Sequence, residues 1–182
     1  AAENYGFNYQ HKRFVGTGDD YTAKAIIAAV KVHHPTLTIK KIEREKEAYF
    51  LAELINLKLR DGVEELIQQA KEKNIACVVA SSTTQKKVNA MLNAAKLTGK
   101  FNIIITGDQV KNKKPHPEIY LTALELLQLK PEQAIAVEDS PVGAEAACNA
   151  NLLTIAFPHK YSKQLTFPKQ VIKVKTLKDI NL

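Results

Sequence analysis

From Val63 onward, short apolar runs alternate with stretches in which apolar residues recur every three or four positions. The runs Ile75–Ala80, Phe101–Ile105, Ala134–Val137, Leu152–Ala156 and the shorter Val171–Val174 read as strands. The helical spacing predicts helices over Val63–Lys73, Gln85–Lys96, Pro117–Leu127 and Val142–Ala150. Helix and strand in alternation predict an α/β class, a parallel sheet covered by helices. Ala134–Val137 is apolar without alternation, which predicts a strand buried on both faces. Asn151 falls where the last of these helices ends, a position suited to a left-handed cap. Before the turn Lys58–Gly62 the pattern is purely helical. Tyr21–His33 is stopped by Pro35, and Leu37–Leu57 carries Ile39, Ile42, Leu51 and Leu54 at helical spacing. The expected division is a helical unit over 1–57 and an α/β unit over 58–182.

The chemistry sits where the apolar runs stop. Ala134–Val137 runs straight into Glu138 and Asp139, and Ser140-Pro141-Val-Gly143 then opens a helix. Burying carboxylates beside such a strand is costly without a cation or donors. The carboxyl ends of parallel strands are where open α/β sheets bind ligands, and adjacent hard oxygen ligands suit Mg²⁺. A helix cap by Asp139 or Ser140 accounts for the same residues. Ile75–Ala80 ends in Ser81, Ser82, Thr83 and Thr84. Hydroxyls and free N–H groups at a helix start form an anion site, or again a simple cap. After Phe101–Ile105 comes Gly107-Asp-Gln-Val-Lys-Asn-Lys-Lys114-Pro115-His-Pro117. The prolines restrict the backbone around Lys114, and a lysine on a rigid loop can be aimed at phosphate. A solvated basic loop is the other reading.

The order of these features is more specific than any one of them. Strand–Ser, then strand–loop–Lys-Pro, then strand–Glu-Asp-Ser-x-x-Gly resembles the haloacid dehalogenase superfamily of phosphoryl-transfer enzymes. Within it, the chain looks like the branch of β-phosphoglucomutase-like and phosphoglycolate-phosphatase-like hydrolases. The resemblance implies a Rossmann-like core with a helical cap subdomain. It implies that Ser81, with Ser82 beside it, binds the transferring phosphoryl group. Lys114 would neutralise that group, and Asp139, with Glu138, would hold Mg²⁺. It also implies that Phe14-Val-Gly16-Thr17-Gly18-Asp-Asp20 is a substrate loop of the cap. Gly16 and Gly18 permit close backbone approach to a ligand, although a turn with Asp20 as helix cap explains the same residues. Arg13 and Arg44 are candidate clamps for a second anion or ordinary solvated residues. The loop after the glycines has no Arg of the kind mutase members carry, which favours a phosphatase. Such enzymes begin with a strand ending in Asp-x-Asp, whose first Asp is the nucleophile. That motif occurs nowhere in this sequence. The resemblance thus implies an α/β core lacking its first strand, with the nucleophile missing.

Composition adds bounds. The 182 residues are 45% hydrophobic and 25% charged, enough for one domain with an appended subdomain. No apolar run approaches a membrane span, and Ala1 does not open a secretory signal. Cys77 and Cys148 lie in apolar segments and read as reduced core thiols. A cytoplasmic setting and a monomer or weak dimer are expected. The net charge of +7 favours anionic ligands. The lysines are scattered rather than striped and lack interleaved aromatics, which argues against nucleic acid as a partner. The expected function is Mg²⁺-dependent hydrolysis of a small phosphorylated metabolite through an aspartyl-phosphate. The alternatives are a nucleophile-less binding module, a phosphosugar mutase and, further off, a receiver-like signalling domain.

Overall fold

A computed structural model describes residues 24, 27–29 and 33–182. Residues 24 and 27–29 are helical, within the span expected for the first helix. Helix α1 covers Ile39–Glu53, and Thr38 caps it by accepting the Lys41 N–H on its hydroxyl (3.2 Å). The order then runs α2 (Val63–Glu72), β1 (Val78–Ser81), α3 (Gln85–Ala94), β2 (Ile103–Thr106) and α4 (Glu118–Leu127). It continues through β3 (Ile135–Glu138), α5 (Pro141–Asn149), β4 (Leu153–Ala156) and β5 (Ile172–Lys173). The alternation read from the sequence is present, with boundaries shifted by one to three residues. Asn151 takes the left-handed conformation, φ 59°, as expected of Asn beyond a helix end.

Every strand pairing is parallel, but the strands form two separate sheets among the described residues. β1 pairs with β2, Val78 opposite Ile103. β3 pairs with β4, Ile135 opposite Leu153, and β4 pairs with β5. One apolar core nevertheless spans both sheets. Ile105, Ile119, Ala123 and Leu124 from the β1–β2 side meet Ala136, Ala146, Ala147 and Leu152 from the other. The small residues of α5 let that helix sit close on β3 and β4. Burying Ile119, 1% exposed, contributes about 1.5–3 kcal/mol. Between the sheets lies a cleft of about 870 Å³, lined by Val78, Ala80 and Ser81 on one side and Ile135, Val137 and Glu138 on the other.

The expectation that Ala134–Val137 is buried on both faces needs correction. Ala136 is buried, but Ile135 and Val137 remain 40% and 38% exposed. One face of β3 packs on the helices, whereas no described segment covers the other. At the start of α2, Gly62 has φ +85°, and a Cβ there would stand 2.8 Å from the Leu177 Cβ and the Lys178 nitrogen. Glycine thus lets the turn before α2 meet the C-terminal segment.

Candidate active site

The loop between β2 and α4 is stiffened by its own hydrogen bonds. Glu118, in the first turn of α4, accepts the backbone N–H groups of Lys111 (2.6 Å) and Asn112 (2.8 Å). Those donors hold its carboxyl below the usual range. At the far side, Asn149 donates to the Pro115 carbonyl (3.2 Å). The loop delivers Lys114 into the interior. Its ammonium donates to the Ala80 carbonyl (3.1 Å), the Tyr120 hydroxyl (3.2 Å) and the Glu138 carboxylate. An ammonium has three donors, and each has a partner.

Lys114 and Glu138 form an ion pair whose side chains are only 7% and 9% exposed. Tyr120 also donates to Glu138. Burial, reinforced by the neighbouring Glu138 charge, holds the Tyr120 pKa well above 10.0. Tyr120 is therefore a permanent donor at neutral pH. Gly143 completes the cradle. A Cβ at that position would collide with the Glu138 carboxylate, so the helix start can lie against the charge only because the side chain is hydrogen.

Asp139 differs from its neighbour. Its side chain is 54% exposed, and it lines the cleft. The helix cap is Ser140, whose hydroxyl accepts the Gly143 N–H (3.1 Å), so Asp139 is left available. The loop after β4 wraps the same main chain. Phe157 N–H donates to the Glu138 carbonyl (2.7 Å), and the Ser162 hydroxyl donates to the Asp139 carbonyl (2.6 Å). His159 Nε2 stands 3.8 Å from the Asp139 carboxylate.

Ser81, Ser82 and Thr83 line the cleft at the end of β1. Ser81 Oγ accepts the Thr83 N–H at 3.3 Å, a local turn. The amide of Gln85 is already taken by Asp108 (3.1 Å), so part of the α3 N-terminus is neutralised from within. The Thr106 hydroxyl, the Asp108 N–H and the Gln85 N–H together hold Asp108 below its usual pKa. Ser81, Ser82, Lys114, Glu138 and Asp139 thus converge on one cleft. Gly16, Thr17, Gly18 and Arg13 lie outside the described residues. Arg44 is exposed on α1. Sequence reasoning missed Tyr120 and Arg60, both of which line the cleft. A tyrosine amid the apolar face of α4 was a usable signal, because a buried phenol needs a polar partner. Arg60, in a polar turn, gave none.

Among the described residues no cluster of three or more His, Cys, Asp and Glu forms a metal cage. The donor set fits Mg²⁺ all the same, since Mg²⁺ is usually held by one or two carboxylates with water and substrate phosphate completing its shell. Among the described residues no helix is long and apolar enough to cross a membrane.

A site of this kind, on parallel strands joined by helices, has relatives. The model of the haloacid dehalogenase-like hydrolases matches residues 2–157, and the chain belongs to that family. It is 36% identical over 154 residues to a phosphorylated carbohydrates phosphatase of Thermotoga maritima, covering 83% of this chain and 70% of that protein. It resembles the crystal structure of CbbY from Rhodobacter sphaeroides in complex with phosphate, with TM-score 0.71 and 34% identity. That match covers 79% of this chain and 66% of the CbbY chain. A β-phosphoglucomutase structure from Clostridium difficile shares the fold, with TM-score 0.79 at 21% identity, over 99% of this chain and 82% of that one.

Proposed function

We propose that this chain carries the phosphate- and metal-binding half of a Mg²⁺-dependent phosphomonoester hydrolase acting on a small sugar or organic phosphate. The observation that carries this reading is the meeting of Lys114, Ser81, Glu138 and Asp139 at one cleft. Lys114 supplies positive charge for the phosphoryl oxygens, held by Ala80 and Tyr120 in a fixed direction. The Ser81 hydroxyl, with Ser82 beside it, offers a hydrogen bond to the same oxygens. Positioning and charge neutralisation are what phosphoryl transfer chiefly requires. Asp139 and Glu138 would hold Mg²⁺, which when bound neutralises charge on the phosphate. The phosphatase relative of carbohydrate phosphates and the phosphate complex of CbbY support this substrate class. A Mg²⁺-dependent aspartyl-phosphate route needs a carboxylate nucleophile, and the Asp-x-Asp that carries it in the family does not occur here. The 1–57 segment is proposed as a cap, with Gly16, Thr17 and Gly18 contacting substrate.

The test is p-nitrophenyl phosphate turnover by the protein with an apolar strand ending in Asp-x-Asp ahead of Ala1. Mg²⁺-dependent hydrolysis is expected. Turnover that survives exhaustive chelation sinks the metal assignment. The missing Asp-x-Asp favours one alternative for the 182 residues alone, an anion-binding module without turnover. Phosphate binding without hydrolysis would identify it.

A further inference from the structure

Arg60, in the turn before α2, reaches across the chain to the loop that follows β4. Its Nη1 donates to the Phe157 carbonyl (2.7 Å) and its Nη2 to the Pro158 carbonyl (2.8 Å). The guanidinium carbon lies 3.5 Å from the centre of the Phe157 ring. The gripped loop is fastened on its other side to the carboxylate pair. Phe157 N–H holds the Glu138 carbonyl, and the fully buried Ser162 holds the Asp139 carbonyl while accepting the His159 N–H (3.0 Å). Phe157–Ser162 is therefore a bracket around Glu138-Asp139, and Arg60 ties the bracket to the segment that leads into α2.

We propose that Arg60 is a positioning residue: its grip on the Phe157 and Pro158 carbonyls fixes the Phe157–Ser162 loop, and through it the direction of the Asp139 carboxylate for binding a divalent cation. The proposal rests on the reading of Asp139 as a Mg²⁺ ligand. Two adjacent carbonyls and an aromatic face suit a planar fork that bonds twice and stacks at once, and a lysine cannot reproduce that geometry. Partners that orient metal ligands from outside the coordination shell change metal affinity by about 10–100-fold when removed.

Arg60 and Asp139 also line the same cleft and interact as charges. Burial lowers the Arg60 pKa, and the Asp139 charge works against that shift. A purely electrostatic role has the opposite sign from a grip. A cation beside a cation site weakens metal binding, so its removal would tighten Mg²⁺. Arg60→Lys keeps the charge and loses the fork, whereas Arg60→Met loses both.

The experiment is calorimetric titration of the purified chain with Mg²⁺, parent against Arg60→Lys, Arg60→Met and, as the ligand control, Asp139→Asn. It is paired with metal-free amide exchange by mass spectrometry. Both Arg60 variants are expected to bind Mg²⁺ roughly tenfold more weakly. Both should exchange faster over Phe157–Ser162 with β1 and β2 unchanged. Tighter binding by Arg60→Met, or an Arg60→Lys variant that matches the parent, overturns the grip. Unchanged exchange at Phe157–Ser162 overturns it too. A parent that binds no Mg²⁺ overturns the metal reading, and the exchange result then judges the clamp separately.

Discussion

Replacing Lys114 by Met tests the arrangement most directly. The substitution leaves the Glu138 carboxylate, 9% exposed, with Tyr120 as its remaining side-chain donor. Removing one member of a buried ion pair costs about 3–5 kcal/mol, because the surviving charge is uncompensated. That is a large share of a domain's typical stability of about 5–15 kcal/mol. Glu138→Gln should cost a similar amount by stranding the ammonium against Ala80 and Tyr120. The double variant removes both charges, so it should cost clearly less than the sum, with a coupling of about 1–3 kcal/mol. Tyr120→Phe removes two hydrogen bonds, the one donated to Glu138 and the one accepted from Lys114, and should cost at least about 1.5–3 kcal/mol. Urea unfolding followed by circular dichroism measures all four, since the chain has six tyrosines and no tryptophan to report by fluorescence. If Lys114→Met stays within about 1 kcal/mol of the parent and the double variant is additive, the pair behaves as an exposed surface bridge. The burial argument then fails.

Two further outcomes are expected. Glu118 has its pKa lowered from 4.5, and a depressed carboxyl contributes stability that is present above the unfolded value and lost as pH falls through the folded one. Glu118→Gln should therefore melt below the parent at pH 7, with the gap closing as pH drops below 4.5; a gap that is constant with pH refutes the assignment. The split sheet predicts uneven protection, with the amides of β3 exchanging faster than those of central β4, and self-association of the isolated chain through unpaired edges. A monomer by size-exclusion chromatography with equal protection of β3 and β4 would refute that.

Much of the fold was legible because apolar periodicity reports burial, and burial is set locally by helix and strand geometry. The strands at Val78–Ser81, Ile103–Thr106 and Ile135–Glu138 follow from it. What periodicity could not show is which face meets a neighbour. Ile135 and Val137 look like core residues in the sequence, yet their exposure depends on segments far away in the chain. That Ser81, Lys114, Glu138 and Asp139 should be considered together was suggested by motif order rather than by physics alone, and the structure brings them to one cleft. The competing cap readings were decided only by geometry, which gave the cap to Ser140 and left Asp139 open. Tyr120 and Arg60 act through partners 18 and 97–98 residues away, separations that no local pattern encodes. The Gly16–Gly18 loop stays an expectation from resemblance.

The split sheet changes what Lys114 means. Among the described residues no hydrogen-bonded ladder joins β1 to β3. Lys114 bonds to the Ala80 carbonyl of β1 and to Glu138 of β3. Together with the core under α4 and α5, it ties one sheet to the other. The apolar core holds the two sheets together without fixing their register, because burial is non-directional. A directional tie at the strand ends supplies what the core lacks. It also sets the distance between Ser81 on one sheet and Asp139 on the other, the proposed phosphate and Mg²⁺ groups of one cleft. The same ammonium would then be asked to serve the phosphoryl group. Phosphate arriving in the cleft would compete with Glu138 for Lys114, and releasing Glu138 frees a second carboxylate beside Asp139. On the proposed function, anion and cation binding would thus be coupled through one lysine. That follows from a buried pair whose two members belong to different sheets.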